Sequence, residues 1–475
     1  MSRILLIEPS YRNKYPPLGL MKISAYHKLL GDEVVFCKGT NFSLRQEIWE
    51  RIYITTLFTF SWNSTIKTIK YYLNSVERPN NIFIGGPMAT IMEDEILKEK
   101  GLENITILKG LLDQPRVLGE NDYVVDDMIP DYSIIDMAQN EYLKYIYPVN
   151  DAFFVHATRG CVRKCDFCAV PQIEPKFKNY IDIKPIVNDI IEQYGAKCHL
   201  MIMDNNILAS PNLEQIINDI IECGFGINNN DYKYFANGRR ITKKRYVDFN
   251  QGLDARLLYA NPEKMKLLSK VAVRPLRIAF DHADDEFVTI YKKCMWLAAE
   301  NRIKEASNYI LFNYEDEPND LYKRLEINVL LNQQFESEGY NTRIWSFPMR
   351  FSPILGEEAK GRKHLGDNWS RKQLRGIQCI LNATHGVVGP KLPFFQKAFG
   401  KNLDEFNQLI WMPEKYIIYR NENIENGNSE RWNQLYLKLD PYSRSEFHKL
   451  ISDNVFVDKY SCDSTIMELL NTYVG

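Results

Sequence analysis

Three cysteines, Cys161, Cys165 and Cys168, crowd into eight positions of the segment HATRGCVRKCDFC, His156–Cys168. The spacing C-x3-C-x2-C gathers three thiolates in one loop, and thiolate sulfur is the ligand that iron–sulfur clusters select. Such a loop wraps one cubane and supplies three of its four irons. With no fourth cysteine nearby, one iron of a 4Fe–4S cluster stays open to a small molecule. A second reading of the same residues is a structural zinc site, which wants four ligands and has only His156 to recruit locally. The other six cysteines (Cys37, Cys198, Cys223, Cys294, Cys379, Cys462) are isolated. A reducing compartment with one thiolate metal site accounts for that distribution better than a disulfide framework.

The elements that must position this loop alternate between strand and helix. In residues 1–125 short apolar strands are expected at Arg3–Glu8, Glu33–Phe36, Ile52–Phe58, Asn81–Ile84 and Ile105–Leu108, with helices at Leu18–Leu30 and Thr65–Val76. That pattern implies a parallel, Rossmann-like doubly wound sheet, with Gly85-Gly86-Pro87 at a strand's carboxyl end, where such sheets bind ligands. Residues 126–150 read as an ordered connector. A second βα series follows over 151–355, with strands at Ala152–Ala157, His199–Met203, Tyr246–Phe249, Leu276–Phe280, Tyr309–Phe312 and Thr342–Phe347. Helical spacing at Pro185–Tyr194, Asn212–Cys223 and Pro262–Ser269 lies between them. Six such units make a partial, TIM-like (βα)6 barrel. Residues 356–475 read as a mostly helical C-terminal domain.

Loop and topology together resemble the radical S-adenosylmethionine (SAM) superfamily, in detail over Gly160–Cys168 and in topology over Ala152–Pro353. The resemblance implies that the open iron takes the amino and carboxylate groups of SAM. It also implies an external electron donor such as flavodoxin or ferredoxin. Phe167, the aromatic before the last cysteine, then helps seat the adenine. Asp204, Asn205 and Asn206 after the second strand resemble the cluster that receives the methionine amino group. Asp254 and Arg256 after the third, Asp281 ending the fourth and Asn313 ending the fifth resemble further SAM-contacting positions. Read from the residues alone, these are polar groups at the carboxyl ends of barrel strands, where active sites lie, or caps of the following helices. The N-terminal region resembles the superfamily's cobalamin-binding domains through Pro16-Pro17-Leu18-Gly19-Leu20, Gly85-Gly86-Pro87 and Ile129-Pro130-Asp131-Tyr132. The cobalt-binding D-x-H-x-x-G motif is absent, and the region's single histidine is His27, inside a predicted helix. With cobalamin the expected reaction is methyl transfer; without it, hydrogen abstraction leads to rearrangement, oxidation or coupling. Methylthio transfer to tRNA needs a second cluster, and no second cysteine triad exists.

At 475 residues, 45% hydrophobic and 25% charged, the chain suits two or three globular domains. A net charge of −2 gives no global basic field, and no stretch approaches the roughly 20 apolar residues of a membrane span, so the expected address is cytoplasmic. One local exception is Gly238–Arg245, GRRITKKR, preceded by Asn228-Asn229-Asn230. It reads as a solvated loop or hairpin, or as a grip on phosphate or nucleic acid. A rival class for the whole chain follows from it: a non-catalytic, metal-stabilised nucleic-acid-binding protein. In the C-terminal part, Phe394, Phe395 and Phe399 have core spacing and His385 sits among turn formers.

Overall fold

The computed structural model describes residues 1–236, 238–453 and 463–473, so Cys462 lies outside the described residues. The protein is a mixed α/β chain of parallel sheets and many helices that divides into two compact units. The first comprises 1–253, 266–274 and 352–364; the second comprises 254–265, 275–351 and 365–475.

In the first unit, β1 (Arg3–Glu8), β2 (Glu33–Lys38), β3 (Arg51–Thr55), β4 (Ile82–Gly85) and β5 (Thr106–Leu108) form one all-parallel sheet of order β2-β1-β3-β4-β5. The run Ile4–Ile7 is buried throughout, as a strand covered on both faces must be. Leu5 stands beside Val35 and Ile52 in the register. The helix Leu18–Leu29 follows β1, with His27 and Lys28 in its last turn, where cations oppose the helix dipole. β3 ends three residues earlier than its apolar run suggests, because Thr56 leaves the strand to bind β4. Its N–H and hydroxyl both donate to the Gly85 carbonyl, at 2.7 and 2.9 Å. Gly86 follows at φ +100°, and a Cβ there would lie 2.3 Å from the Thr56 carbonyl oxygen. The connector is tied down by its aromatics: the Tyr132 hydroxyl donates to the Ala152 carbonyl (2.8 Å) and the Tyr147 hydroxyl to the buried Glu8 carboxylate. The segment 352–364 also belongs here, with Ala359 in the core of the first sheet and Lys360 over the Trp62 ring.

The same unit carries a second parallel sheet of β6 (Ala152–Val155), β7 (His199–Ile202) and β10 (Tyr246–Phe249), ordered β10-β7-β6. Between β7 and β10 the helix Leu213–Ile220 ends in a wider turn over Ile221–Phe225, where Gly224 takes φ +85°. The basic run then forms the antiparallel hairpin β8 (Asp231–Ala236) and β9 (Arg239–Lys244).

The second unit holds β11 (Leu276–Ala279), β12 (Glu305–Phe312) and β13 (Arg343–Arg350), parallel and in sequence order, with the helices Asp285–Glu300 and Pro318–Ser337. From Arg371 onward its described residues are helical. Phe395 and Phe399 are fully buried, whereas Phe394 is exposed, as is His385 at φ +55°. No helix among the described residues is long and apolar enough to cross a membrane.

Two expectations follow. Gly86→Ala, strained by its positive φ and its approach to Thr56, should cost at least about 2 kcal/mol in urea denaturation. His448 stacks on Trp411 at 3.7 Å, and burial pushes its pKa down to about 4. The unfolded chain binds a proton near pH 6.5 that the folded chain refuses, so stability present above pH 6.5 is lost as pH falls toward 4. That loss should reach about 1–2 kcal/mol by pH 5 and should be absent in His448→Phe.

Candidate active site

The cysteine loop leaves β6 through Ala157, Thr158 and Arg159, all buried. Asp204, just past β7, holds that exit: its carboxylate accepts the Ala157 N–H at 2.8 Å and the Thr158 hydroxyl at 2.7 Å. Complete burial raises its pKa to about 7. Arg159 pairs through its backbone with Lys178 in both directions (3.0 and 2.9 Å), which brings the chain back beside the loop. Gly160 sits at φ +74°, and a Cβ there would be 2.4 Å from the Lys176 carbonyl oxygen. Its N–H donates to the Glu174 carboxylate at 2.6 Å. The start of the loop is therefore clamped by protein groups alone.

Cys161, Cys165 and Cys168 then stand half-buried, with the Cys168 N–H donating to the Cys165 carbonyl at 3.0 Å. Cys161 Sγ accepts the backbone N–H of Arg163 (3.3 Å) and the side-chain amide of Asn206 (3.5 Å). Asn206 Oδ1, on the same amide, is buried and has no hydrogen-bond partner. Three cysteines in one loop, with N–H donors on Cys161 Sγ and an orphaned acceptor beside it, fit an iron–sulfur cluster with a polar ligand. The zinc alternative is less well served. His156, its fourth ligand, receives a hydrogen bond from Arg159 on Nε2, and burial followed by the Arg159 charge drives its pKa well below normal. Among the described residues no three His, Cys, Asp or Glu side chains are placed to hold one ion.

Sequence reasoning missed the charges that surround the loop. Arg159 lies 3.4 Å from Asp126 of the connector and 3.5 Å from Glu174, and Lys22 of the helix Leu18–Leu29 lies 3.1 Å from Asp126. Burial pushes the Asp126 carboxyl up, but Lys22 and Arg159 outweigh it and hold it below the ordinary range. Asn205 joins the group by donating to Glu174 at 3.0 Å. These residues partition two cavities. A mostly apolar one of about 370 Å³ lies at the carboxyl ends of β3, β4 and β5, between Phe83, Gly86 and Met203. A wider groove of about 1420 Å³ runs along the connector and Lys176–Asn179. Four of the five charged or ionisable groups lie before or within the cysteine segment; nothing in their spacing announces that they meet.

Phe167 is a half-buried loop residue. In the second unit Asp254 caps the helix Ala255–Ala260 by accepting the Arg256 N–H (3.0 Å) and also bonds Arg256 Nε (3.1 Å). Asp281, past the end of β11, keeps Oδ1 buried and without a partner, and burial raises its pKa. Asn313, in left-handed conformation at φ +66°, accepts the Gly366 N–H at 2.9 Å and so has a structural task. His27 uses Nδ1 on Asp32 (2.9 Å) and Nε2 on the Tyr53 hydroxyl (3.0 Å), so it has a structural task.

No protein-family profile matches the sequence, and no curated protein matches it. Among solved structures the chain is similar to the radical SAM methyltransferase TsrM from Kitasatospora setae, solved with tryptophan substrate and a SAM analogue bound. The identity is 11% and the TM-score 0.45, over 80% of this chain and 76% of that one. At that distance the likeness carries no functional weight.

Removing Arg159 takes a cation from buried Glu174 and half-buried Asp126, which keeps Lys22. Arg159→Met should therefore lower the stability of the protein by ~3 kcal/mol in urea denaturation, with Arg159→Lys recovering part of the loss.

Proposed function

We propose that the chain is a radical SAM enzyme whose 4Fe–4S cluster is held by Cys161, Cys165 and Cys168. The single observation that carries this reading is the Asn206 side chain, which touches Cys161 Sγ with one end and leaves its buried oxygen unpartnered at the other. An unsatisfied buried acceptor costs about 1–3 kcal/mol, which an ammonium donor on a bound ligand would offset. The C-x3-C-x2-C loop supplies the soft donors, and no fourth cysteine stands in the segment. A cluster held by Cys161, Cys165 and Cys168 would supply one-electron reductive cleavage of SAM's sulfur–carbon bond, the electron coming from an external donor, and so the start of hydrogen abstraction.

The chain's own residues bind and enclose. Asn206 orients the amino end of SAM, and Phe167 offers the adenine an aromatic neighbour. Asp204 fixes the loop's exit from β6 through two hydrogen bonds. The apolar wall of the 370 Å³ cavity, with Phe83, Ile173 and Met203 among its residues, excludes water from one side of the loop. The reductant is an external one-electron donor, and the substrate is a molecule small enough for that cavity or able to reach the loop from the wider groove.

Anaerobic reconstitution with iron and sulfide tests this. The wild-type protein should show cluster absorption and, with dithionite and SAM, form 5′-deoxyadenosine; Cys161→Ala should do neither. Asn206→Ala should retain the cluster but raise the SAM concentration needed by about tenfold or more. A reconstituted protein with full cluster content and no 5′-deoxyadenosine would refute the reading, and so would undiminished cluster in Cys161→Ala.

A further inference from the structure

We propose that the β8–β9 hairpin is an arm that binds single-stranded nucleic acid. Residues 231–245 contain six basic side chains and one acidic one in a chain of net charge −2, so positive charge is concentrated here against the general trend. The two strands pair only with each other, and an isolated two-stranded ribbon is marginal unless something holds it. Its root supplies the hold. Asn230 and Arg245 exchange hydrogen bonds at 2.7 and 2.9 Å, and Arg245 donates to the Lys197 carbonyl at 3.0 Å. The Arg245 guanidinium also packs on Phe225 and Tyr232, at 4.9 and 5.0 Å, and the Tyr232 hydroxyl donates to the Ala196 carbonyl at 2.9 Å.

Beyond that root the ribbon presents groups with no task in the fold. Lys233, Arg239 and Arg240 are exposed and have no ion-pair partner among the described residues, whereas Lys244 is taken by Asp231 at 2.5 Å. The register places Tyr232 opposite Lys243, Tyr234 opposite Ile241 and Ala236 opposite Arg239. One face therefore carries the two tyrosine rings together with Lys243 and Arg239, and the other face carries Lys233 and Arg240. The two tyrosine rings are stacked at 5.4 Å and 18°, and the Lys243 ammonium lies 5.1 Å from the Tyr234 ring. Same-face residues on a strand repeat every ~6.7 Å, a step suited to an extended backbone of phosphates with bases laid on the rings. A bilayer would want apolar anchors at the tip, where Gly238, Arg239 and Arg240 stand instead.

The arm is independent of the cysteine loop, so its test does not rest on the radical reading. Fluorescence anisotropy of the full-length protein with a labelled twelve-nucleotide oligouridine is the measurement. Binding should weaken about 20-fold between 50 and 200 mM KCl if three phosphates are neutralised. The triple variant Lys233→Gln/Arg239→Gln/Arg240→Gln should bind at least about tenfold more weakly at 50 mM KCl and lose most of that salt dependence. Tyr234→Ala should weaken binding about tenfold while leaving the salt slope unchanged. Thermal melting of each variant should match wild type, since all four side chains lie beyond the root. Failure to bind, or equal binding by the triple variant, would overturn the proposal. Tighter binding to duplex DNA, to phosphatidylserine vesicles or to polyglutamate would overturn it in favour of another partner. Unchanged oligonucleotide binding by Cys161→Ala would separate the arm from the metal site.

Discussion

Arg159 is the group that ties the first unit together around the cysteine loop. It stands two residues before the first thiolate, nine-tenths buried, between the carboxylates of Asp126 and Glu174. Through Asp126 it reaches the connector and Lys22, and through Glu174 it reaches Gly160 and Asn205. One guanidinium thus joins the doubly wound sheet's first helix, the connector, the mouth of the cysteine loop and the end of β7. The arrangement tolerates burial because charges alternate in sign and because the histidine among them stays neutral. Its Nε remains without a partner, an acceptor-sized gap on the wall between two cavities.

The sequence was a good guide to what repeats locally. Buried parallel strands such as Arg3–Glu8 and Ala152–Val155 are short apolar runs bounded by polar residues, and those runs are legible by eye. Boundaries shifted where a side chain or a glycine intervened: Thr56 ends β3, and Gly224 turns the end of the helix Leu213–Ile220. The cysteine triad was legible for the same local reason. The network around it was not, because Lys22, Asp126, Arg159 and Glu174 are brought together by tertiary packing across more than a hundred residues.

The strand-end residues teach a finer distinction. Asp204, Asp254 and Asn313 all lie just past strands, yet much of their hydrogen bonding is spent on their own backbone surroundings. Asn206 and Asp281 differ in keeping one buried oxygen unanswered. Position alone selects all five; only accounting for every donor and acceptor separates those that complete the fold from those left with capacity for a guest. The hairpin makes the same point on the surface, where Lys244 has a partner within the ribbon and Arg239 and Arg240 have none.

The clamp on Gly160 has a consequence for how such a protein would mature. Glu174, Lys176 and Lys178 hold the loop's entrance through protein groups, so a cluster bound as proposed would enter a loop already anchored at its start. This is the opposite order from a zinc finger, where ion and fold arrive together. Such a loop would keep its anchored entrance if the proposed cluster were lost, so that refilling it would not require refolding it.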